Sequence, residues 1–157
     1  MAGLASRRRV RVERLGEGLL LVWAGLSIGV AFLATPAKFL APSLSLPVAL
    51  DVGRQTFNTY NCAELALLVA LVVLAATSQA WRRWSLVLVV PGVVVIAQAL
   101  WLLPALDART SAIIAGQGAP PRSSLHVLYI AAELFKLAWL LGFGLRAAIG
   151  RQPGLKS

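Results

Sequence analysis

The stretch WSLVLVVPGVVVIAQALWLLPAL, residues 84–106, contains no charged side chain and a single amide, Gln98. A helix rises about 1.5 Å per residue, so about 20 such residues cross a hydrocarbon core of about 30 Å. In water a run of this kind would have to be wrapped by protein on every side. In a bilayer it needs only its own backbone hydrogen bonds.

Comparable runs flank it at 18–37, 65–81 and 123–145, the last interrupted by Glu133 and Lys136. The run at 65–81 is short, so its helix is expected to begin near Phe57 and to carry Asn58, Asn61 and Glu64 into the apolar layer. The pattern predicts an all-α protein, an integral membrane four-helix bundle in one transmembrane domain. Its spans are expected over 18–38, 57–78, 84–106 and 124–146, with tails at 1–17 and 147–157. A basic start before an apolar run also describes a signal peptide, but the run continues to Pro36 without a polar break, so a retained helix is expected.

Composition agrees. The 157 residues are 59% hydrophobic with a mean hydropathy of +0.78, beyond what a soluble domain of this size carries. Fifteen Lys and Arg face six Asp and Glu. Apolar runs break these basic residues into short clusters, which excludes the continuous basic face of a nucleic-acid binder.

Their placement orients the chain. Arg7, Arg8, Arg9, Arg11 and Arg14 precede the first span, Arg82 and Arg83 fill the second connection, and Arg146, Arg151 and Lys156 follow the last. The other side holds Lys38, Arg54, Arg109 and Arg122. Both termini are therefore expected in the cytoplasm, in a multi-pass protein of the inner or plasma membrane. The two long connections are expected outside, the first with a short interfacial helix through Val48, Val52 and Gln55 to Phe57.

Tyr60, Ala63, Glu64, Leu65, Leu68 and Leu71 recur 69 residues later as Tyr129, Ala132, Glu133, Leu134, Leu137 and Leu140. Pro36 and Pro104 share nearly the same offset. Two like hairpins related by a two-fold along the membrane normal would produce this pattern.

Charges inside a span cost at least about 2.5–3.5 kcal/mol at the centre, so they turn inward or pair. His126, Tyr129, Glu133, Lys136 and Leu140 follow each other at spacings of three and four and share one helix face. Glu133 and Lys136 are expected to pair, with Glu64 approaching from the second span and acting as proton carrier if it has no cation of its own. With Asn61 and Gln98 these residues form a predicted polar seam. Asp51, Arg54, Asp107 and Arg109 mark its outer mouth. Gly25 and Gly29, and Ala66 and Ala70, have the spacing of close helix packing.

Enzymatic readings find little support. One His and one Cys cannot furnish a common metal site or a bis-histidine haem, so no metal, cofactor or catalytic residue is expected. Ser123 and Ser124 serve better as helix caps than as nucleophiles. Cys62 forms no intrachain disulfide and reads as a small apolar filler.

Ala34-Thr-Pro-Ala-Lys-Phe39, Gly53-Arg54-x-x-Phe57 running into Glu64, the segment 103–111 and the segment 123–129 together resemble a four-span family of unknown function. It is the family that includes the transmembrane-protein-205-like proteins. The likeness covers about residues 18–146, although Pro104 and Arg109-Thr110 stand one residue wider apart than in the family pattern. It implies four helices and no established reaction. Two functional expectations follow. In one, the chain conducts or exchanges a small solute or proton through the seam. In the other, it is a non-catalytic membrane subunit or assembly factor packed against partner helices. In either case its surroundings are the lipid bilayer and a second copy or membrane-protein partner.

Overall fold

A computed structural model describes residues 2–77, 81–117 and 123–149. Apart from short connections such as 41–45 these are helical, with no strand among them. Arg122, Arg151 and Lys156, counted in the charge argument, lie outside the described residues.

Helix α1 (2–40) runs as Ala2–Ile28, widens into a π-turn over Gly29–Ala34, resumes as Thr35–Ala37 and ends in the 3-10 turn Lys38–Leu40. Helix α2 is Leu46–Ala76. Helix α3 (81–114) joins Trp81–Ala97, a second π-turn over Gln98–Leu102, and Leu103–Ile114, while α4 is Leu125–Ile149. All four are long and apolar enough to cross a membrane, over Val10–Leu40, Leu46–Ala76, Trp84–Ile114 and Leu125–Arg146.

The helices outrun the expected spans for identifiable reasons. Helix α2 starts at Leu46, with no separate interfacial helix, because its polar first turns are satisfied internally. Arg54 pairs with Asp51 and the Thr56 hydroxyl donates to the Val52 carbonyl. Helix α3 passes straight through Pro104, ending only where Gly116 takes φ +69°. There Gly116 N–H reaches the Ile113 carbonyl and Gln117 N–H the Ala112 carbonyl, a Schellman closure. At the start of α4 the Ser123 hydroxyl accepts the Leu125 N–H at 3.1 Å, as the capping expectation held.

Both π-turns end two residues before a proline. Proline lacks an N–H and crowds the carbonyl four residues back, so widening the preceding turn relieves the clash. In α1 the Thr35 N–H reaches back five residues to the Val30 carbonyl, and in α3 the Leu103 N–H reaches back five to Gln98. Pro91 imposes the same problem without a π-turn. The Val87 carbonyl four residues earlier is instead met by the Trp139 indole N–H of α4 at 2.9 Å.

Helix α1 packs most closely on α4, α2 packs on α3, and α1 with α2 and α3 with α4 make smaller contacts. Two apolar clusters result. One joins Leu20, Trp23, Leu71, Trp84, Leu88 and Leu140; the other joins Leu102, Leu103 and Tyr129, with Phe57 and Leu106 against them. Close approach is permitted by Gly16, where a Cβ would stand 2.5 Å from Trp84, and by Gly144, where it would stand 2.7 Å from Leu21.

Candidate functional site

Between the two apolar clusters lies a polar layer to which every helix contributes. Lys136, at the middle of α4, is fully buried (0% exposed), and so is Glu64 of α2. Its ammonium stands 2.5 Å from Glu64 Oε1 and 2.7 Å from Glu133 Oε1, and donates to Gln98 Oε1 at 3.1 Å. The Gln98 amide donates in turn to Glu133 Oε1 at 3.0 Å. Gln98 opens the π-turn of α3, so Pro104 helps set where this side chain emerges.

From α1, the indole N–H of buried Trp23 donates to Glu64 Oε1 at 2.8 Å. The Tyr60 hydroxyl donates to Glu133 Oε2 at 3.1 Å and lies 2.7 Å from the Ser27 hydroxyl, which also donates to the Trp23 carbonyl. The Lys136 ammonium sits 5.4 Å from the centroid of the Tyr60 ring. Two carboxylates therefore face one ammonium, and Glu64 Oε2 is buried without a hydrogen-bond partner.

The expected pair of Glu133 and Lys136 is present, and Glu64 joins it as expected. However, Glu64 has a cation of its own, so the condition that made it the freer proton carrier does not hold. Asn61 is buried beside the network and reaches only the Val95 carbonyl, at 3.5 Å. Tyr129 is buried one layer further toward the loops, edge to face with Phe57 at 5.2 Å between centroids. His126 shares the face of Glu133 and Lys136 but not their depth. It is exposed near the start of α4, about 15 Å along the axis from Lys136.

Two cavities meet at the Phe57–Tyr129 pair. The deeper, about 200 Å3, runs between α1 and α4 along Val30, Ala31, Ile130 and Leu134 to Ser27, Tyr60 and Glu133. The outer, about 300 Å3, is bordered by Lys38, Gly53, Arg54, Leu103, Asp107 and Thr110. His126, Thr35, Phe57 and Tyr129 border both. Of the expected outer-mouth residues, Arg54 and Asp107 line this vestibule. Asp51 is turned onto Arg54, and Arg109 is half-buried two residues beyond Asp107 without lining it.

Trp23 and Ser27 are network members that the polar-seam reading left out, and Tyr60, which the sequence set one turn before Glu64, joins them. Their signal was present: a buried indole N–H or hydroxyl in a span has no water and must find a partner. Conversely, Gly25, Ala66 and Ala70 lie on the outer surface, as does Cys62, which therefore fills no core space. An added Cβ at Gly18, Gly25 or Gly29 would meet nothing within 4 Å.

Fold and network together define a helical protein with four helices long and apolar enough to cross a membrane and a buried cluster of two carboxylates and one ammonium. No family model matches the chain, and no match exists among curated proteins or solved structures. The resemblance to the four-span family thus rests on its motif residues alone.

Proposed function

We propose that this chain is a membrane-embedded four-helix bundle that exchanges protons, or a small solute together with them, through the network of Glu64, Glu133 and Lys136. The observation that carries this reading is the combination of two carboxylates, one ammonium and the unpartnered Glu64 Oε2. With both carboxylates ionised the centre holds one unmatched negative charge. One proton or one small cation neutralises it, and intramembrane ionisable groups of this kind mark ion and proton pathways.

Access supports the same reading. On the loop side, Glu133 and Tyr60 border a cavity that continues to the vestibule, while on the other side Leu20, Trp23, Leu71, Trp84 and Leu140 close the core. Exchange across the bilayer then requires the closed side to open as the loop side shuts. The two π-turns, which flank the polar layer on α1 and α3, are the natural bending points. Their matched relation to Pro36 and Pro104 supports two like hairpins, α1–α2 and α3–α4, about an axis along the membrane normal.

In proteoliposomes with an imposed pH gradient, the native chain is expected to dissipate the gradient and Glu64→Gln and Glu133→Gln to lose at least tenfold of that rate. Undiminished flux in both variants, or none in the native protein, would overturn the reading. The open face at Gly18, Gly25 and Gly29 favours the second reading, a subunit packed on a partner helix. A partner co-purifying in fixed ratio, with no flux by the isolated chain, would select it.

The charge bias supports both termini in the cytoplasm. With Cys62 replaced by Ala, a cysteine at Gln117 should react with an impermeant maleimide added to intact cells, and one at Ala5, before the first span, should not. The reverse labelling pattern would refute this orientation.

A further inference from the structure

Lys38 ends α1 at the vestibule with its ammonium 5.1 Å from the Phe39 ring centroid and 5.4 Å from that of Phe57. Among the described residues no carboxylate pairs with it directly. Asp51 holds Arg54 at 2.5 Å, and Asp107 accepts the Asn58 amide at 3.0 Å. Arg54 is further occupied by the Ser111 hydroxyl at 3.0 Å. Lys38 is therefore an ammonium without a direct ion pair, while Asp107, bonded to a neutral amide, keeps its own negative charge on the vestibule wall.

The ammonium lies directly against Gly53 of α2, in the space a side chain would fill. Gly53 is buried and occupies a helix interior, where glycine costs about 1 kcal/mol relative to alanine. Alanine there would displace the Lys38 head. Leu50, Leu103, Leu106 and the two Phe rings supply an apolar wall, set beside the polar Arg54, Asp107, Thr110 and His126, and the volume of about 300 Å3 is at the small end of ligand sites.

Resting on the reading of a proton-coupled exchanger, we propose that the vestibule binds a small monocarboxylate with an apolar body, its carboxylate on Lys38 and its body against Phe57, Leu103 and Leu106. Lys38 is the vestibule cation that no carboxylate among the described residues holds, which suits one carboxylate group, with Asp107 on the wall disfavouring further negative charge. A dianion would bring a second charge with no partner, and an inorganic anion would leave the apolar walls unused. A carboxylate held there stands one aromatic pair away from the cavity that ends on Glu133, so anion and proton sites lie along one route.

The test uses the full chain in nanodiscs of neutral lipid and equilibrium dialysis of labelled benzoate. Saturable binding near one per chain is expected, with benzamide, its uncharged analogue, at least tenfold weaker. Lys38→Gln should weaken benzoate at least tenfold, Gly53→Ala should weaken it with the charge intact, and Lys38→Arg should retain most of it. Oleate added to the discs separates the sources of the carboxylate: competition by oleate at lower occupancy than benzoate assigns the site to a bilayer fatty acid, and its failure to compete assigns a soluble acid. Benzamide binding as well as benzoate, inorganic phosphate binding better, or indifference to Lys38→Gln would each overturn the proposal. Glu64→Gln should leave benzoate binding intact while abolishing proton flux. Flux without benzoate binding would sink this inference and leave the exchanger reading standing.

Discussion

Replacing Lys136 by Met should destabilise the fold more than removing the whole charge network. Lys136 is fully buried and stands between Glu64 and Glu133 at 2.5 and 2.7 Å, so its loss leaves two carboxylates facing each other in an apolar layer. Breaking a buried pair by removing one partner costs about 3–5 kcal/mol, whereas replacing all its members by apolar groups of similar volume is often neutral. Were Glu133 the partner of Lys136 with Glu64 merely approaching, Glu133→Leu would rescue the loss. The structure changes that expectation, because in the double variant Glu64 would still be stranded. Lys136→Met should lower the thermal midpoint in detergent sharply, Lys136→Met with Glu133→Leu should recover part of it, and adding Glu64→Gln should recover most. Glutamine is chosen at Glu64 because its amide oxygen can still accept the Trp23 indole N–H. A triple variant as unstable as Lys136→Met would show that the charges are not what holds these helices in register.

Much of this arrangement was legible because its cause is local. Uncharged runs of bilayer length announce helices, and charges inside them announce inward faces, so Glu64, Gln98, Glu133 and Lys136 could be placed before any coordinates. Depth and helix ends were less legible. His126 satisfies the same periodicity as Glu133 and Lys136, yet periodicity fixes an angle around the axis and says nothing about which layer of another helix lies opposite. The end of the uncharged run at Leu106 set the expected end of the third span, and the helix continues past Pro104 because a π-turn absorbs the missing N–H. The vestibule at Lys38 depends on Gly53, a residue whose role emerges only when α1 folds back onto α2.

The polar seam read from the sequence omits Trp23 although its indole N–H needs a partner, and the loss of this residue should be the second large effect. Set in the uncharged run of α1, it reads as one more apolar side chain. In the structure it is 0% exposed and donates to Glu64 Oε1 at 2.8 Å, on the oxygen that also faces Lys136. Trp23→Phe keeps the six-membered ring and deletes the donor, leaving Glu64 Oε1 to Lys136. A hydrogen bond to a charged group contributes about 1.5–3 kcal/mol, so the thermal midpoint should fall by an amount resolvable in detergent. Packing and bonding can be separated by a double-mutant cycle, since Glu64→Leu removes the acceptor and leaves Lys136 neutralised by Glu133. In that background Trp23→Phe should cost at least about 1 kcal/mol less than in the native chain, the coupling expected of groups in one network. Equal costs in both backgrounds would mean that Trp23 holds α1 against its neighbours by volume alone. The first helix would then be only a wall of the charge centre, with no hydrogen-bonding part in it.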